Sequence, residues 1–517
     1  FGSSIFAWAQ DTSRPNGSAL SLCKSRAMLA MTGSQERTLA ADTTDVSIAN
    51  AQPRIAILVH TNKEIFMSFL ALGKALKDRG FNVRFITCVN FKGLCESHGI
   101  DVSPVFSDSE YVYREMVDMV SWIAPIGHSA MIKWLTEWAL ASGRATEKWL
   151  IENPFFDDGI TQALDEFNPD AMVTGMGGHG IASSYEMAHG VPSIPVYMGH
   201  TCLFMHRPFD CAKLPMRPSF LPMCQLLEDR PVPWPMMRTN AWTMPYSPNV
   251  ESDGDDRAQI EQFLGNGRGR TPLGYQQGEK LVVIGWGGLC PEGMSDEQHL
   301  LLALRVLCSS GYPGVIIGGC TGIHKLGREL VNGFTDWLED LLDPKEVATL
   351  VDFATYRVCF VEDAPLDWLL TQSCCFVHQG GSAPMHAALR TSCPSVITPG
   401  GGSDYFIARR IIELDDPRIG LAFDDCLKKI SVEEITTAMN TVIEASVGSE
   451  PSGCNLAMDS VPAVEQAAAM IESFMLNNVL TRTWFECFQQ QWSCSKRPII
   501  PYRKMTAPQV VAAAIMM

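Results

Sequence analysis

The sequence lacks several features that would assign it directly to a class of protein. It has no uninterrupted run of about 18 apolar residues, which a transmembrane helix requires. Its 17 cysteines include no pair of Cys-x-x-Cys motifs at the spacing of a zinc site. The P-loop pattern is also absent. These absences argue against a membrane-spanning helix, a zinc module and a P-loop ATPase.

Basic residues are also scarce. The chain has 40 Lys and Arg against 57 Asp and Glu, which gives a formal net charge of −17. The overall field of such a chain repels nucleic acid and anionic membranes, and only a local basic cleft would attract them. We therefore expect no nucleic-acid partner. The scattered cysteines are expected to be reduced thiols, which predicts a cytoplasmic protein.

The first 53 of the 517 residues show no sustained periodicity and are rich in Ser, Thr, Ala and Gln. This composition predicts a flexible N-terminal arm over residues 1–53. Because the sequence begins with Phe1 and not Met, we expect that upstream residues are missing. Whether they carry a membrane-binding module stays open, so peripheral membrane contact is not decided by the sequence.

Predicted strands and helices alternate after this arm. The apolar run at 55–59 predicts a strand buried on both faces, residues 69–77 show helical spacing, and 83–86 predicts a second strand. Such a βαβ unit implies a parallel sheet. The pattern restarts at 281–284, which predicts a second α/β half.

Three loops in the second half are rich in glycine and follow predicted strands, at 285–288, 380–381 and 400–402. In parallel α/β sheets, ligands bind at the carboxyl ends of strands, where helix N-termini attract anions. Tight turns would explain any one of these loops, but three together indicate an anionic nucleotide ligand. No Gly-x-Gly-x-x-Gly motif follows the first strand, which disfavours a simple NAD site.

Three segments close to the second glycine-rich loop form a recognisable set, namely Asp363–Leu369, His378–Ser382 and Ala387–Leu389. They resemble the donor-binding region of family 1 glycosyltransferases, in particular the sterol and lipid glucosyltransferases and the bacterial enzymes that modify antibiotics. Gly285–Gly288 is similar to the family's Gly-Phe-Gly-Ser loop, and residues 54–91 are similar to its N-terminal βαβ unit.

The resemblance covers roughly residues 54–475 and implies the GT-B fold. This is an α/β architecture of two Rossmann-like domains with doubly wound parallel sheets, which face each other across a cleft. The implied boundaries are an acceptor-binding domain at 54–250 and a nucleotide-sugar-binding domain at 251–475. A C-terminal tail at 476–517 is expected to cross back to the first domain.

By this resemblance the donor substrate is a UDP-sugar, with UDP-glucose expected, and no cofactor is bound permanently. Ala364 would bind the uracil edge through its backbone. The residues implied for the diphosphate and the sugar are Gly287, Gly288, His378, Gly380, Gly381, Ser382, Ser403 and Asp404. Alternatively, His378 is a structural histidine that ends a strand.

The family's sugar-binding Asp-Gln pair aligns with Ser403-Asp404 without a gap, or with Asp404-Tyr405 if one gap is allowed. Pro384 also departs from the family pattern, because it has no N–H to offer a phosphate where the family has one. Asp253-Gly254-Asp255 imitates a metal-binding Asp-x-Asp motif, but we expect the acidic run of Asp253, Asp255 and Asp256 to be a solvated part of the linker.

The position of the family's catalytic base aligns with Ile65, which cannot accept a proton. The neighbouring candidates are Glu64 and His60, and a base must come within about 3 Å of the acceptor hydroxyl. The residues implied to contact the acceptor are Ile65, Trp134, Trp138 and His179. The two tryptophans lie one helical turn apart, a spacing at which aromatic residues are more often part of the core.

Together these features predict a glycosyltransferase that moves a hexose from a UDP-sugar to a hydroxyl of a hydrophobic acceptor, namely a sterol, terpenoid or polyketide. The implied reaction inverts the anomeric centre and needs no metal ion. One alternative is a GT-B-derived protein that no longer transfers sugar and catalyses a cyclisation, addition or dehydration. Another is a non-catalytic partner subunit. The sequence does not decide the oligomeric state.

Overall fold

A computed structural model describes both α/β halves of the chain and part of its C-terminal segment. The described residues are 52–61, 63–106, 108, 159–175, 178, 182, 185–186, 188–197, 214–227, 236–239, 242, 254–265, 278–286, 294–400, 404–447 and 463–494. None of the helices in these ranges is long and apolar enough to cross a membrane.

The first half is built on a parallel sheet of five strands. They are β1 (Arg54–Leu58), β2 (Asn82–Cys88), β3 (Asp101–Phe106), β4 (Ala171–Thr174) and β5 (Ser193–Pro195). Their order is β3-β2-β1-β4-β5, and every neighbouring pair is parallel. The chain therefore changes direction across the sheet between β1 and β4, which leaves a crevice after these two strands.

Helices cover this sheet as the apolar spacing predicts. They are α1 (Lys63–Asp78), α2 (Lys92–Ser97) and α3 (Gly159–Phe167). Phe66, Leu70 and Leu76 on α1 are fully buried, because their spacing places them on one face of the helix. A side chain at Gly73 would lie 2.6 Å from the Phe85 ring, so α1 approaches β2 closely only because this residue is glycine. The predicted N-terminal βαβ unit is confirmed.

Two short strands connect the first half to the second. β6 (Ser219–Pro222) and β7 (Met236–Thr239) pair in parallel, and Val196 forms a bridge to Phe220. The segment around β6 packs at the same time on helices of the second half, where Leu221 and Leu227 share a buried cluster with Met385.

The second half contains a parallel sheet of six strands. They are β8 (Leu281–Gly285), β9 (Gly314–Ile317), β10 (Val358–Val361), β11 (Ser373–His378), β12 (Ser395–Ile397) and β13 (Gly420–Ala422). The order is β10-β9-β8-β11-β12-β13, so the direction changes between β8 and β11. Both sheets thus follow the doubly wound pattern, with a crevice at the carboxyl ends of the strands beside the change of direction.

The helices of the second half precede, connect and follow these strands along the chain. They are α4 (Gly254–Gly265), α5 (Asp296–Ser310), α6 (Ile323–Val331), α7 (Asp336–Glu339), α8 (Pro344–Arg357), α9 (Leu366–Leu369), α10 (Ser382–Thr391), α11 (Asp404–Leu414) and α12 (Val432–Ser446). Ser295 and Ser431 begin α5 and α12 with reciprocal side-chain caps, which explains where these helices start.

The C-terminal segment returns to the first half through α13 (Ala463–Phe474) and continues in α14 (Thr483–Cys494). The apolar face of α13 belongs to the core of the first sheet. Arg79, the residue after α1, binds Glu465 at 3.1 Å and Glu472 at 2.5 Å. The return therefore begins before residue 476, the predicted start of the tail. Buried residues of α13 and of α1 belong to the same core cluster, which is the cluster of the first sheet.

Candidate functional site

Three loops of the second half meet at one edge of the sheet. His378 at the end of β11 is in register with Gly285 of β8 and with Ile397 of β12. The residues that follow these strands are therefore neighbours. Trp286 Nε1 donates a hydrogen bond to Thr398 Oγ1 at 3.0 Å, directly linking the loops after β8 and β12. The structure thus brings together the described parts of the three glycine-rich loops.

His378 lies in the middle of this edge and is fully buried. Burial lowers its pKa to about 3, so the imidazole is neutral at pH 7. Its Nδ1 accepts a hydrogen bond from the Gly380 N–H at 3.1 Å, which places the proton on Nε2. Within the described ranges Nε2 has no hydrogen-bond partner. The His378 ring is closed to solvent in this structure.

The turn after His378 requires glycine at position 380. Gly380 has a φ of +102°, and a side chain there would lie 2.8 Å from Ile397 Cγ2 and 3.0 Å from the Asp404 carbonyl oxygen. Its N–H is used by His378, so this amide is not available to a diphosphate. The diphosphate contact predicted for Gly380 would compete with this hydrogen bond and stays a prediction.

Those neighbours form the N-terminus of α10, a helix of 10 residues. Gly381 is its N-cap and supplies no side-chain cap, and Gly381 and Ser382 are half-exposed. The amides of Ser382 and Ala383 therefore point out of the first turn, where the helix dipole attracts an anion. Pro384 has no N–H, so this first turn offers two amides to an anion where a turn without proline would offer three.

The predicted sugar-binding residue Asp404 begins α11 at the same edge. Its Oδ2 accepts a hydrogen bond from the Gly400 N–H at 3.3 Å. Next to it, burial raises the pKa of Tyr405, and Cys426 adds to this shift. Asp404 belongs to both alignments of the sugar-binding pair, so both place a carboxylate beside the glycine-rich turn. The second member of the pair is Ser403 in one alignment and Tyr405 in the other.

Ala364, predicted to bind uracil, lies in the loop after β10 and is nearly buried, with 8% of its surface exposed. Its N–H donates to Asp363 Oδ1 at 2.9 Å. Asp256 Oδ2 accepts the amides of Glu362 at 2.9 Å and Asp363 at 3.0 Å, while its Oδ1 binds Arg328 at 2.7 Å. The predicted solvated acidic run is therefore wrong at Asp256, because this carboxylate holds the Ala364 loop.

The candidate bases lie in the loop after β1 and at the start of α1. His60 is 5% exposed, and its ring meets Phe106 edge-on at 5.2 Å. Burial lowers its pKa to about 4, so it is neutral at pH 7 and a weak base. Ile65 lies in the first turns of α1 and packs against the core of the first sheet. Glu64 is in the same helix, but its side chain lies outside the described residues.

An ion pair brings this region close to the second half. Lys63, the first residue of α1, places Nζ 2.5 Å from Oδ2 of Asp363. The start of α1, with Glu64 and Ile65, therefore lies opposite the loop that contains Ala364.

His386 is a residue that sequence analysis missed. It lies on α10 and is 1% exposed; its Nδ1 donates to the Ser382 carbonyl oxygen at 2.6 Å, and its Nε2 accepts the Cys224 N–H at 3.1 Å. Burial lowers its pKa to about 4. The histidine thus joins the first turn of α10 to the segment after β6. The four-residue spacing from Ser382 was visible in the sequence, but the distant partner Cys224 was not.

Some of the predicted site residues lie outside the described residues. They are Trp134, Trp138, His179, Gly287, Gly288 and Ser403. Their roles stay predictions.

No protein-family model matches the chain. It is 22% identical over 437 residues to a sterol 3-beta-glucosyltransferase of Arabidopsis thaliana, covering 77% of this chain and 64% of that protein. It is 24% identical over 431 residues to a sterol 3-beta-glucosyltransferase of Sclerotinia sclerotiorum, covering 76% of this chain and 27% of that protein. The chain therefore spans less than two thirds of the length of either relative.

Among solved structures, the chain is similar to the crystal structure of the glycotransferase of kitacinnamycin. The TM-score is 0.50 at 14% sequence identity, over 82% of this chain and 99% of the other. This likeness concerns the fold, and it agrees with the two doubly wound sheets described above. The chain is thus similar in sequence to sterol 3-beta-glucosyltransferases and has the GT-B fold predicted from its sequence.

Proposed function

We propose that the protein is a glycosyltransferase that moves a hexose from a UDP-sugar to a hydroxyl of an apolar acceptor. The observation that carries this proposal is the meeting of the loops after β8, β11 and β12 around the N-terminus of α10. The similarity to sterol 3-beta-glucosyltransferases supports it. UDP-glucose is the proposed donor, and a sterol, terpenoid or polyketide is the proposed acceptor.

In this proposal the donor diphosphate binds at the first turn of α10. The amides of Ser382 and Ala383 and the helix dipole would stabilise the negative charge that develops on the leaving UDP. Backbone dipoles stay fixed during the reaction, so this stabilisation needs no metal ion. Attack by the acceptor from the opposite face of the sugar would invert the anomeric centre.

The acceptor hydroxyl would lose its proton near the start of α1. The Lys63–Asp363 ion pair places this part of the first half beside the donor loop, which supports a base in the first turn of α1. We propose Glu64 for this role, because burial makes His60 a weak base and Ile65 cannot accept a proton.

Turnover of UDP-glucose by the purified protein tests the proposal. We expect UDP release that depends on the acceptor when sterols, triterpenoids and aromatic polyketides are offered one at a time, with a product heavier by one hexose. The Glu64→Gln variant should retain UDP binding and lose most of the turnover. A wild-type protein that neither releases UDP with any acceptor nor binds UDP at millimolar concentration would rule out sugar transfer.

A second candidate function is catalysis of another step, such as a cyclisation, addition or dehydration, on a hydrophobic intermediate. Several features of the site favour it. The amides of Ala364 and Gly380 are used in internal hydrogen bonds, the His378 ring is closed to solvent, and Ile65 is apolar. Incubation of the native small molecule with and without UDP-sugar separates the two candidates. Turnover that does not depend on the sugar would support the second, and strict dependence would exclude it.

The Ile65→Asp variant tests the assignment of the base position. A carboxylate at this residue should raise transfer to a simple hydroxyl acceptor, if residue 65 faces the acceptor as the alignment predicts. No gain would show that the base lies elsewhere. Activity of the isolated chain would also exclude a purely non-catalytic partner subunit.

A further inference from the structure

A chain of buried hydrogen bonds connects the ends of three strands behind the proposed donor site. Trp286 Nε1 donates to Thr398 Oγ1 at 3.0 Å, and Thr398 Oγ1 donates to the His378 carbonyl oxygen at 3.4 Å. The same carbonyl oxygen accepts the Thr398 N–H at 2.9 Å. All three residues are fully buried, so no solvent competes for these bonds.

The last link of this chain controls the turn that leads into α10. The His378 carbonyl is held by Thr398, and the His378 ring accepts the Gly380 N–H. These two contacts fix the backbone on both sides of Gln379. The φ of +102° at Gly380 then sets the direction of the chain into Gly381, the N-cap of α10. A change in the position of His378 would therefore move the first amides of the helix.

The indole of Trp286 is also held by ring stacking on its face. His299 in the first turns of α5 stacks on it, with ring centroids 5.1 Å apart and an angle of 15° between the planes. This packing fixes the plane of the indole and hence the direction of its N–H. A phenylalanine at this position could fill much of the same space, but it could not donate to Thr398.

We propose that Trp286 is a positioning residue for the diphosphate site, acting through Thr398 and His378 on the first amides of α10. This inference rests on the proposed function, since it assigns these amides to the diphosphate of a UDP-sugar. Trp286 itself does not contact the diphosphate. The indole N–H, and not only the bulk of the ring, is needed to hold the turn.

Calorimetric titration of the full chain with UDP and with uridine tests this inference. The variants are Trp286→Phe, Thr398→Val and the double variant, which all break the same link. We expect UDP affinity to fall about fivefold in Trp286→Phe, which loses one hydrogen bond, and at least as much in Thr398→Val, which also loses the bond from Thr398 Oγ1 to the His378 carbonyl oxygen. The double variant should bind UDP no more weakly than Thr398→Val, and uridine affinity should not change.

Two controls separate positioning from general loss of structure. Thr398→Ser keeps the hydroxyl and should bind UDP as the wild type does. Trp337→Phe removes another buried indole N–H, which has no hydrogen-bond partner in the described part of the chain, and should leave UDP affinity unchanged. If Trp286→Phe does not fold, Thr398→Val tests the same link.

The outcomes are distinguishable. Folded variants with unchanged UDP affinity, or with equal losses for UDP and uridine, would overturn the role of Trp286 and leave the proposed function intact. A wild-type chain that binds no UDP would overturn the proposed function and this inference with it.

Discussion

Lys63 and Asp363 form an ion pair, with 2.5 Å between Nζ and Oδ2, although 300 positions separate them in the sequence. The pair joins the start of α1 to the loop after β10. Both side chains are nearly half exposed, so water screens the attraction and the pair stabilises the fold by less than about 1 kcal/mol. Its importance is geometric, because it brings the candidate base region beside the Ala364 loop.

A double-mutant cycle on this pair should show weak coupling. Lys63→Met, Asp363→Asn and the double variant are expected to give a coupling energy below about 1 kcal/mol in urea unfolding, decreasing as salt is added. The exposed Lys74–Asp78 pair on the same helix provides a matched control, with Nζ 3.0 Å from Oδ2. A large coupling energy that resists high salt would show that the contact is shielded from water.

Gly380→Ala is expected to disrupt the diphosphate site. The positive φ and the contacts with Ile397 and the Asp404 backbone should destabilise the fold by about 1–3 kcal/mol, and UDP affinity should fall at the same time. Gly93→Ala in α2 is the control, since a methyl group there meets nothing within 4 Å. It should stabilise the chain by up to about 1 kcal/mol. Equal effects of the two substitutions in chemical denaturation would contradict the strain at Gly380.

Local patterns in the sequence were sufficient for much of the fold. The apolar runs 55–59 and 281–284 predicted strands that the structure places at 54–58 and 281–285, because a strand buried on both faces is apolar throughout. Glycine-rich loops after strands predicted the edge at which the site residues meet, because parallel strands end on the same side of a sheet.

Contacts between distant segments could not be predicted in this way. The Cys224 amide donates to His386 only when the chain is folded. In the same way, the Asp256 carboxylate accepts two amides after β10 only in the folded chain. The internal use of the Gly380 N–H depends on the His378 ring orientation, which no sequence pattern specifies. The sequence therefore predicted which loops form the site but not which of their polar groups are available to a ligand.

Asp256→Ala should release the Ala364 loop. The carboxylate accepts two backbone amides and an Arg328 guanidinium hydrogen bond, so its loss should lower the free energy of unfolding by about 2–3 kcal/mol. Glu261→Ala on the same helix removes an exposed pair with Arg257 and should change stability by less than about 0.5 kcal/mol. Urea denaturation measures both. A similar small effect for the two variants would mean that Asp256 does not hold the loop.

Acid should destabilise the protein through its buried histidines. Burial lowers the pKa of His60 and His386 to about 4, and that of His299 and His378 to about 3. In the unfolded chain these histidines have a pKa of about 6.5, so below this pH they bind protons that they do not bind in the folded chain. The contribution of these histidines to the free energy of unfolding is therefore fully present above about pH 7. It declines as the pH falls towards 4, by up to about 1.4 kcal/mol per pH unit for each group.

His386→Gln tests one part of this dependence. The unfolding free energy of the variant should fall less steeply than that of the wild type between about pH 6 and pH 4.5, by the contribution of one group. Above pH 7, where the imidazole is neutral in both states, the two curves should run parallel. Identical slopes over the acid range would show that His386 titrates normally in the folded protein.

Calorimetric titration of the wild-type chain with UDP, with uridine as the reference ligand, tests the central claim most directly. If the first amides of α10 hold a diphosphate, UDP should bind at least about tenfold more tightly than uridine, because charge-assisted hydrogen bonds and the helix dipole act only on the phosphates. Equal affinities, or no heat of binding at millimolar UDP, would contradict a nucleotide-sugar site at this edge of the sheet.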